Sequence, residues 1–519
     1  MIAMAKLFPK VSFVHDETPL SWAARQAAFH KGGRLVPFLN DLRIPAIDLA
    51  RGLPGAVHRL CEIAGQDPVP VAWNTISSIG ARRFSLRQHE FSAEFTTGVE
   101  TRICPYCLAE DQYDQRRPDV AMRHRLAWRL APVRTCRRHG TLLRDVRKDA
   151  WDDQLHELQA MQDIIAAELA VPEPCEPRAP SPLQTYVENR LEGHSGPIWL
   201  DGQGIDQASR AVEMVGGLIA FGPKQQAAEL SQRMWDDAGR AGWGLAAGGE
   251  AEVVAFLEDT LKASTRSEGF ASPRSAFGML YAWLNSGHLS KDPGPIHALL
   301  RHVIIENTPL VPGRNVLGQP VARPKYSTLS SISKAENVHP STLHNLLKAA
   351  GMSPKEGEGA GAGRLVVDYA KVVELLGDAK FAVPTTQVPY VLTCSRPVAS
   401  ALIELGLLSR IHDHRHLQSK VGKAVDGRSI NKVLDVLRDR FDEVEELPVG
   451  MEPLARCAEK SRAKLKVILE LLFKGHLSNV VRLDGQVGFA AIHLDPEEIK
   501  SVLESPPVGV SEDAYFLIH

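Results

Sequence analysis

Four residues of metal-ligating type form two pairs in the first third of the chain. Cys104 and Cys107 are separated by two residues, and Cys136 and His139 repeat this spacing after an interval of 28 residues. Zinc prefers a tetrahedron of thiolate and imidazole ligands, and two intervening residues let both ligands of a pair lie on one tight turn. The pattern therefore predicts that these four residues hold Zn2+. Four protein ligands leave no coordination position for water, so the expected role of the ion is structural and its binding energy contributes to folding.

Other interpretations of the cysteines are open. A redox-active dithiol at Cys104 and Cys107 is one, although such chemistry does not need the second pair. A zinc enzyme is another, but it needs an open coordination position. His124 lies between the pairs as a spare candidate ligand, and we expect it at the surface instead. Buried or inert thiols are expected for the remaining cysteines, which are Cys61, Cys175, Cys394 and Cys457.

The interval between the two pairs is rich in arginine. Residues 101–148 contain 12 Lys and Arg against 5 Asp and Glu. We expect the zinc site to fix a basic surface here, which faces DNA or a partner. The arginines of the interval are Arg116, Arg117, Arg123, Arg125, Arg129 and Arg134.

A pattern that recurs three times in the last 195 residues provides the second set of candidate functional residues, which are candidates for binding DNA. Each copy has a glycine with apolar residues eight and four positions before it, which predicts one helix face in register and a helix end at the glycine. These positions are Leu343 and Leu347 before Gly351, Val398 and Leu402 before Gly406, and Val467 and Leu471 before Gly475. A further helical run follows each glycine, at Val366–Leu376, Ser429–Leu437 and Asp495–Leu503. The plan predicts tandem winged-helix modules, and a single irregular helical domain is the competing interpretation.

In the first copy, Leu329–Leu347 predicts a helix-turn-helix whose second helix begins at a Ser/Thr cap. Outward polar side chains of such a helix suit base edges and phosphates in a major groove. The third copy departs from the others, with Leu465 at a position that is polar elsewhere, and the basic stretch Arg410–Arg428 is the expected wing of the second. The predicted DNA-binding residues are Ser341, Thr342, His344, Asn345, Lys348, Ser395, Arg396, Ser400, Arg415, Arg462, Lys464 and Lys466. The alternative is that these helix pairs do not contact DNA and instead serve as packing units of the fold or as docking sites for proteins.

Bulk composition is that of an ordinary globular chain. The 519 residues predict about three or four domains, and 44% are hydrophobic and 24% charged. The net charge is −2, yet residues 410–440 hold 8 Lys and Arg against 4 Asp and Glu, a local basic patch. No stretch approaches the roughly 20 apolar residues of a membrane span, and Met1–Lys10 lacks the apolar core of a signal peptide. We expect a cytoplasmic protein without a disulfide framework, since the cysteines number seven.

The fold class predicted is mainly α and multidomain. Thr18 and Pro19 predict the start of a helix, and apolar spacing predicts helices over Ala211–Leu218, Val253–Leu261 and Phe277–Leu284. Proline-dense connectors are expected at 172–182 and near 307–325. The predicted domains are 1–170 (zinc-binding), 184–306 (helical), and the winged-helix modules 325–380, 381–445 and 446–519.

Motifs of several enzyme classes are missing. The alternating glycines from Gly357 to Gly363 follow no strand, so they predict a wing or loop rather than a dinucleotide site. We find no phosphate-binding loop, no metalloprotease motif after His156-Glu157 and no acidic constellation of recognisable spacing. None of these motifs therefore provides a candidate catalytic site, although scattered carboxylates remain as an alternative.

The chain resembles the TniQ/TnsD proteins of transposons that use a separate AAA+ regulator. The resemblance rests on the motif Glu17–Trp22 (ETPLSW), on residues 102–111 (RICPYCLAED) with Trp128-Arg129-Leu130 and residues 136–143, and loosely on Pro312-Gly313 to Leu329. Many members carry a second cysteine pair after the His-Gly, and residues 144–153 supply none.

The resemblance implies a non-catalytic protein that selects the target site for transposition and recruits an AAA+ ATPase. The implied partners are double-stranded DNA and the ATPase, with a transposase, an RNA-guided complex or a second copy as further options, in a nucleoid-associated bacterial setting. The length beyond residue 325 favours direct reading of DNA over docking on an RNA-guided complex. A transcription regulator with tandem winged helices is the alternative function.

Overall fold

The computed structural model of the protein describes residues 6–146, 155–171, 175–264, 272–286, 292–352, 365–410 and 424–510. Over these residues the chain is mainly helical with short strands, as the sequence predicts. It divides into an N-terminal unit, Met1–Asn307 with Asn315–Pro320, and a C-terminal unit, Thr308–Arg314 with Val321–His519. None of the helices in the described ranges combines the length and apolar composition that crossing a membrane requires.

The N-terminal unit is built from helices with short strands between them. Its helices are α1 (Pro19–Lys31), α2 (Leu35–Asp41), α3 (Ala46–Ala50), α4 (Pro54–Ala64), α5 (Pro68–Trp73), α6 (Pro105–Gln112), α7 (Pro118–Ala121), α8 (Gln162–Leu169), α9 (Pro182–Leu191), α10 (Ile198–Asp201), α11 (Ile205–Phe221), α12 (Gln232–Ala246), α13 (Glu250–Ser264), α14 (Pro273–Leu284) and α15 (Pro295–Asn307). Its strands are β1 (Ser77–Gly80), β2 (Arg83–Leu86), β3 (His89–Ser92), β4 (Thr101–Ile103), β5 (Thr135–Cys136), β6 (Thr141–Leu142), β7 (Arg144–Val146), β8 (Asn315–Val316) and β9 (Gln319–Pro320). β1, β2 and β3 form an antiparallel meander, and β8 and β9 form a hairpin within the predicted connector near 307–325.

Helix α1 begins where the sequence predicts. The Thr18 hydroxyl accepts a hydrogen bond from Ser21 N at 3.1 Å, and Pro19 is the first helical residue. Trp22 is fully buried, and its Nε1 donates to the Val11 carbonyl at 2.7 Å. The motif therefore ties the segment before α1 to the core.

Two glycines allow α11 and α12 to approach each other closely. A Cβ on Gly216 would lie 1.8 Å from the Ala238 carbonyl oxygen, and one on Gly242 would lie 2.0 Å from the Val212 carbonyl oxygen. Any larger side chain would push the two backbones apart. Helices α11, α13 and α14 contain the helical runs predicted from apolar spacing, although Gly278, with a φ of 47°, interrupts the run in α14.

One hydrophobic core joins the cysteine-bearing segment to the helices that follow. It includes Ile103 and Leu108 beside the cysteines, Leu183 of α9 and Val212 of α11. The two regions therefore fold against each other, and a fragment that ends between them would expose this core.

The described part of the proline-dense connector, residues 175–181, has no helix, as predicted, but it is not a free linker. Leu142 N donates to the Glu176 carbonyl at 3.1 Å, and Arg178 N donates to the Gly140 carbonyl at 2.5 Å. The Arg178 guanidinium also pairs with Asp236 of α12 at 2.5 Å. Backbone and charge contacts therefore hold the described part of the connector in place. Pro172 and Pro174 lie outside the described residues.

The C-terminal unit repeats one plan of strand, helix, helix, strand and helix. Its helices are α16 (Leu329–Ala335), α17 (Pro340–Ala349), α18 (Tyr369–Lys380), α19 (Val388–Val391), α20 (Arg396–Glu404), α21 (Gly427–Arg440), α22 (Leu454–Ser461), α23 (Leu465–Lys474) and α24 (Pro496–Glu504). Its strands are β10 (Tyr326–Thr328), β11 (Val366–Asp368), β12 (Ala382–Val383), β13 (Val425–Asp426), β14 (Asp442–Val444), β15 (Glu452–Pro453), β16 (Val480–Leu483) and β17 (Ile492–Leu494). β10 pairs with β11, β12 with β13, and a four-stranded sheet has the order β14-β16-β17-β15.

The three-fold helix register predicted from the sequence is confirmed. The positions eight and four before each glycine are buried, and the glycines have φ of 68°, 73° and 83° at the helix ends. Two details differ. The cap of α17 is His339 rather than a Ser or Thr, and its Nδ1 accepts a hydrogen bond from Ser341 N at 3.3 Å. The run Val366–Leu376 begins as strand β11, because Val366–Asp368 pair with β10.

The first copy has a core of its own, whereas the second and third share one. Val398 and Leu402 of α20 lie in the same core as Val467 and Leu471 of α23, and these two helices pack against each other. β14 also joins the sheet that contains β16 and β17. The glycine-rich segment from Gly357 to Gly363 lies outside the described residues.

Candidate metal centre

Short strands and one helix bring the two pairs of predicted ligands together. β4 leads into Cys104, which caps α6, so that Cys107 falls in the first turn of that helix. β5 and β6 form a hairpin in which Cys136 ends the first strand and His139 lies in the turn. Gly140 has a φ of 58°, and its N–H donates to the Cys136 carbonyl at 2.8 Å, which closes the turn.

The four ligand atoms all lie within 4.8 Å of one another. His139 Nδ1 is 3.5 Å from the Sγ atoms of Cys104 and Cys136 and 3.3 Å from that of Cys107. The Sγ atoms of Cys107 and Cys136 are 3.5 Å apart. Two sulfurs around tetrahedral zinc, at Zn–S distances of about 2.3 Å, are about 3.8 Å apart. The group can therefore bind a metal ion, and its separations fit a zinc tetrahedron.

The three thiols shift one another's pKa because they lie close together. Hydrogen bonds with Cys104 and Cys136 raise the pKa of the Cys107 thiol, and hydrogen bonds from Cys104 and Cys107 lower the pKa of the Cys136 thiol. A coordinated metal ion deprotonates thiols outright because its positive charge offsets their mutual repulsion. Three sulfurs and one imidazole are the soft donor set that Zn2+ accepts.

Glu110 supports the site from outside the four ligands. Its Oε1 lies 3.1 Å from His139 Nε2, and its Oε2 pairs with Arg138 at 3.0 Å. A carboxylate on the second ring nitrogen fixes the tautomer and orientation of a ligating histidine. Sequence reasoning missed Glu110, although its position three residues after Cys107 on a helix places it on the same face.

Residues 8–143 match the protein-family model named TniQ. The chain carries a TniQ domain. The match includes the motif Glu17–Trp22 and all four candidate ligands, and it confirms the resemblance to TniQ that these motifs indicate. The narrower assignment to TnsD proteins stays a prediction. A search of curated proteins found no match to the chain.

His124 of the TniQ domain is not at the surface, contrary to expectation. It is 1% exposed, its Nε2 lies 3.1 Å from the Arg102 carbonyl oxygen, and its ring stacks on His156 with centroids 5.6 Å apart. Burial lowers the pKa of His124 to about 3, so the ring is neutral at pH 7. His124 is therefore a core residue outside the four-residue group.

Arg102 of the TniQ domain is a structural residue that sequence reasoning did not single out. Its guanidinium donates to the carbonyl oxygens of Leu130, Ala131 and Val133 at 3.2, 2.9 and 2.8 Å and pairs with Asp145 at 3.0 Å. Burial lowers the pKa of Arg102 to about 10. These bonds fix the chain that leads into Cys136 against the strand that leads into Cys104.

The prediction of a basic surface between the two ligand pairs is wrong for most arginines of the interval, because they are paired with carboxylates. Arg123 and Arg125 both pair with Asp111, at 3.0 and 2.6 Å. Arg134 pairs with Glu213 at 2.6 Å, and both side chains are buried. These guanidiniums stabilise the fold instead of forming an open basic face, since carboxylates already neutralise them.

The remaining arginines of the interval have different surroundings. Arg117 pairs with Asp119 at 2.7 Å, and Arg116 is exposed. Arg129 faces a cavity.

The predicted DNA-binding residues lie on exposed positions of the C-terminal unit. Their side chains are exposed in α17, at the start of α20 and around the start of α23, and the residues are Ser341, Thr342, His344, Asn345, Lys348, Ser395, Arg396, Ser400, Arg462, Lys464 and Lys466. Arg415 lies outside the described residues. Because α20 packs against α23, the structure brings the second and third sets together, and Lys466 pairs with Glu404 at 3.3 Å.

Proposed function

We propose that the protein is a non-catalytic, DNA-binding adaptor that selects the target site for transposition and recruits an AAA+ regulator. The TniQ domain over residues 8–143 carries this proposal, because TniQ domains are associated with adaptors for transposition target-site selection. The chain's own residues supply the rest of the argument.

In this proposal the metal centre binds Zn2+ and acts as a scaffold. Cys104 and Cys107 on α6 and Cys136 and His139 on the β5–β6 hairpin come from separate elements. An ion that joins them contributes its binding energy to the fold of the TniQ domain. All four positions are occupied by protein ligands, so the ion has a structural role rather than a catalytic one.

The C-terminal unit supplies the DNA contacts through winged-helix modules at 325–380, 381–445 and 446–519. The first module is the strongest candidate. Leu343 and Leu347 of α17 lie in the core of this module, and His344, Asn345 and Lys348 lie on the exposed side of the helix. Asparagine pairs with adenine edges, and lysine contacts guanine edges or phosphates.

The second and third modules are less free to insert a helix into a groove. α20 and α23 cover part of each other, and Glu404 already neutralises Lys466. We assign them a supporting role in which Arg396, Arg462 and Lys464 contact phosphates.

Duplex binding tests the proposal directly. The purified full-length chain is incubated with sheared genomic DNA, the bound fragments are sequenced, and the enriched site is made as a labelled duplex. We expect Asn345→Ala to weaken binding to this duplex about tenfold, since a base contact contributes about 1–3 kcal/mol. Asn431→Ala, which changes an exposed asparagine on α21, is the matched control and should bind like the wild type.

Two outcomes would count against the proposal. The first is the absence of any enriched duplex at low salt, and the second is equal affinity of the Asn345→Ala and Asn431→Ala variants for the enriched site.

Co-purification separates the adaptor from a transcription regulator, because only an adaptor should retain an AAA+ ATPase encoded beside it.

A further inference from the structure

The TniQ domain and the helices packed against it line an open cavity of about 1120 Å³. This volume exceeds the roughly 300–1,000 Å³ of most small-molecule sites. Thr18 and Pro19 of the N-terminal motif, Arg102 before the first cysteine and Arg129 of the Trp-Arg-Leu motif all line it. Three sequence motifs that are distant along the chain therefore face one recess.

The wall of the cavity is strongly basic. Its described lining includes the guanidiniums of Arg51, Arg82, Arg102, Arg129, Arg134 and Arg210, against the carboxylates of Glu94 and Glu213. Arg134 and Arg210 share Glu213, at 2.6 and 3.3 Å, and Arg102 is bound by Asp145 and backbone carbonyls. Among the described residues, Arg51, Arg82 and Arg129 have no carboxylate partner.

Arg129 is the unusual member of this set. Its Nε atom is fully covered and has no hydrogen-bond partner, and burial alone lowers the pKa of the side chain to about 10. Thr97 is next to it, since Thr97 N donates to the Arg129 carbonyl at 3.0 Å, and the buried Thr97 Oγ1 also lacks a partner. The Arg129 side chain is half-buried and lines the cavity, so a carboxylate that enters the cavity can pair with its guanidinium.

The shape and lining of the cavity favour a peptide over nucleic acid. Reading a duplex requires an element that protrudes into a groove, and a recess does not provide one. Single strands need several exposed aromatic rings for stacking. Of the two such rings in the described lining, Trp235 is already covered by Arg210 and Arg134, at 4.6 and 5.9 Å from its centroid, which leaves the half-buried Phe84. The half-buried side chains of Ile76 and Phe84 instead offer apolar contact between the arginines.

We propose that this cavity binds an extended, acidic peptide segment of a partner protein, with the half-buried Arg129 receiving one carboxylate and the exposed Arg51 and Arg82 binding others. Planar guanidinium groups bind carboxylates through paired hydrogen bonds. The inference stands on the cavity alone and holds whether or not the C-terminal helices bind DNA.

Fluorescence anisotropy with the full-length protein tests the site. The probe is a labelled dodecapeptide with four Asp-Ser-Leu repeats, and its matched control has four Asn-Ser-Leu repeats. We expect the acidic probe to bind at least tenfold more tightly than the neutral one. Arg129→Met should remove that preference, whereas Arg116→Met, which changes an exposed arginine of the same domain, should retain it.

A second measurement separates a binding role from a structural one. Arg129→Met should raise the melting temperature of the free protein, because it removes a half-buried charge whose covered Nε lacks a partner. Arg102→Met should lower it, because the buried Arg102 guanidinium is held by hydrogen bonds. Duplex binding by Arg129→Met should be unchanged, which keeps this test distinct from that of target selection. Equal binding of both peptides, a lower melting temperature for Arg129→Met, or tighter, Arg129-dependent binding of a twelve-nucleotide oligo-dT would overturn the proposal.

Discussion

The four candidate ligands differ from the other cysteines in what surrounds them. Cys104, Cys107 and Cys136 face one another and His139, whereas Cys61 is a lone buried thiol whose pKa burial raises to about 11. A zinc ion prefers four ligands, so the loss of one thiol should weaken the whole group. The unmatched thiol provides a control of the same chemistry in the same unit.

Cys104→Ser should therefore release zinc from the protein and lower the free energy of unfolding by more than about 4 kcal/mol, since the binding energy of a structural zinc ion is folding energy. Metal content by mass spectrometry and thermal unfolding measure both effects. Cys61→Ser should keep about one zinc per chain. Full zinc content in the Cys104→Ser protein would contradict the assignment of this ligand.

At the scale of elements, the contact between α11 and α12 requires glycine at two positions. Gly216 and Gly242 each face a backbone carbonyl of the other helix, so neither has room for a methyl group. Gly244 lies on α12 as well, but a Cβ there meets no atom within 4 Å. One helix thus offers a glycine that packing requires and a glycine that it does not.

Gly242→Ala should destabilise the protein by about 1–3 kcal/mol, because overpacking forces the helices apart. Gly244→Ala should stabilise it by about 0.5–1 kcal/mol, since alanine favours the helix over glycine. Denaturant unfolding of the two variants measures these changes. Similar stabilities for both would show that the helices separate at little cost.

At the scale of the whole molecule, the residues that match the TniQ model end before the hydrophobic core that supports them is complete. Residues 8–143 match, yet the core beside the cysteines continues into Leu183 and Val212. Arg134 is buried inside the match, and its partner Glu213 lies on α11 outside it. A buried charge that loses its partner costs about 3–5 kcal/mol.

A fragment of residues 1–146 should therefore be insoluble or unfold without cooperativity even with zinc present, whereas a fragment of residues 1–320 should fold. Circular dichroism during heating distinguishes the two behaviours. If the short fragment melted as cooperatively as the long one, the helices after residue 182 would not be needed by the TniQ domain.

The sequence by itself determined the features that depend on local spacing. Two residues between the members of each pair predicted the metal group, and Thr18 with Pro19 predicted the start of α1. Apolar residues eight and four positions before Gly351 and its two equivalents predicted the buried face of three helices. Each of these signals lies within a few residues, where turn geometry and helix period leave few options.

Only the tertiary structure decided which charges are free and which regions share a core. Arg125 and Arg129 are four residues apart in the same basic interval, yet Asp111 neutralises the first and the second lines a cavity. Likewise, the segment 175–181 has the composition of a linker but is fixed by bonds to the hairpin and α12. Such outcomes depend on partners far along the chain, and composition and spacing do not specify which residues the fold places next to each other.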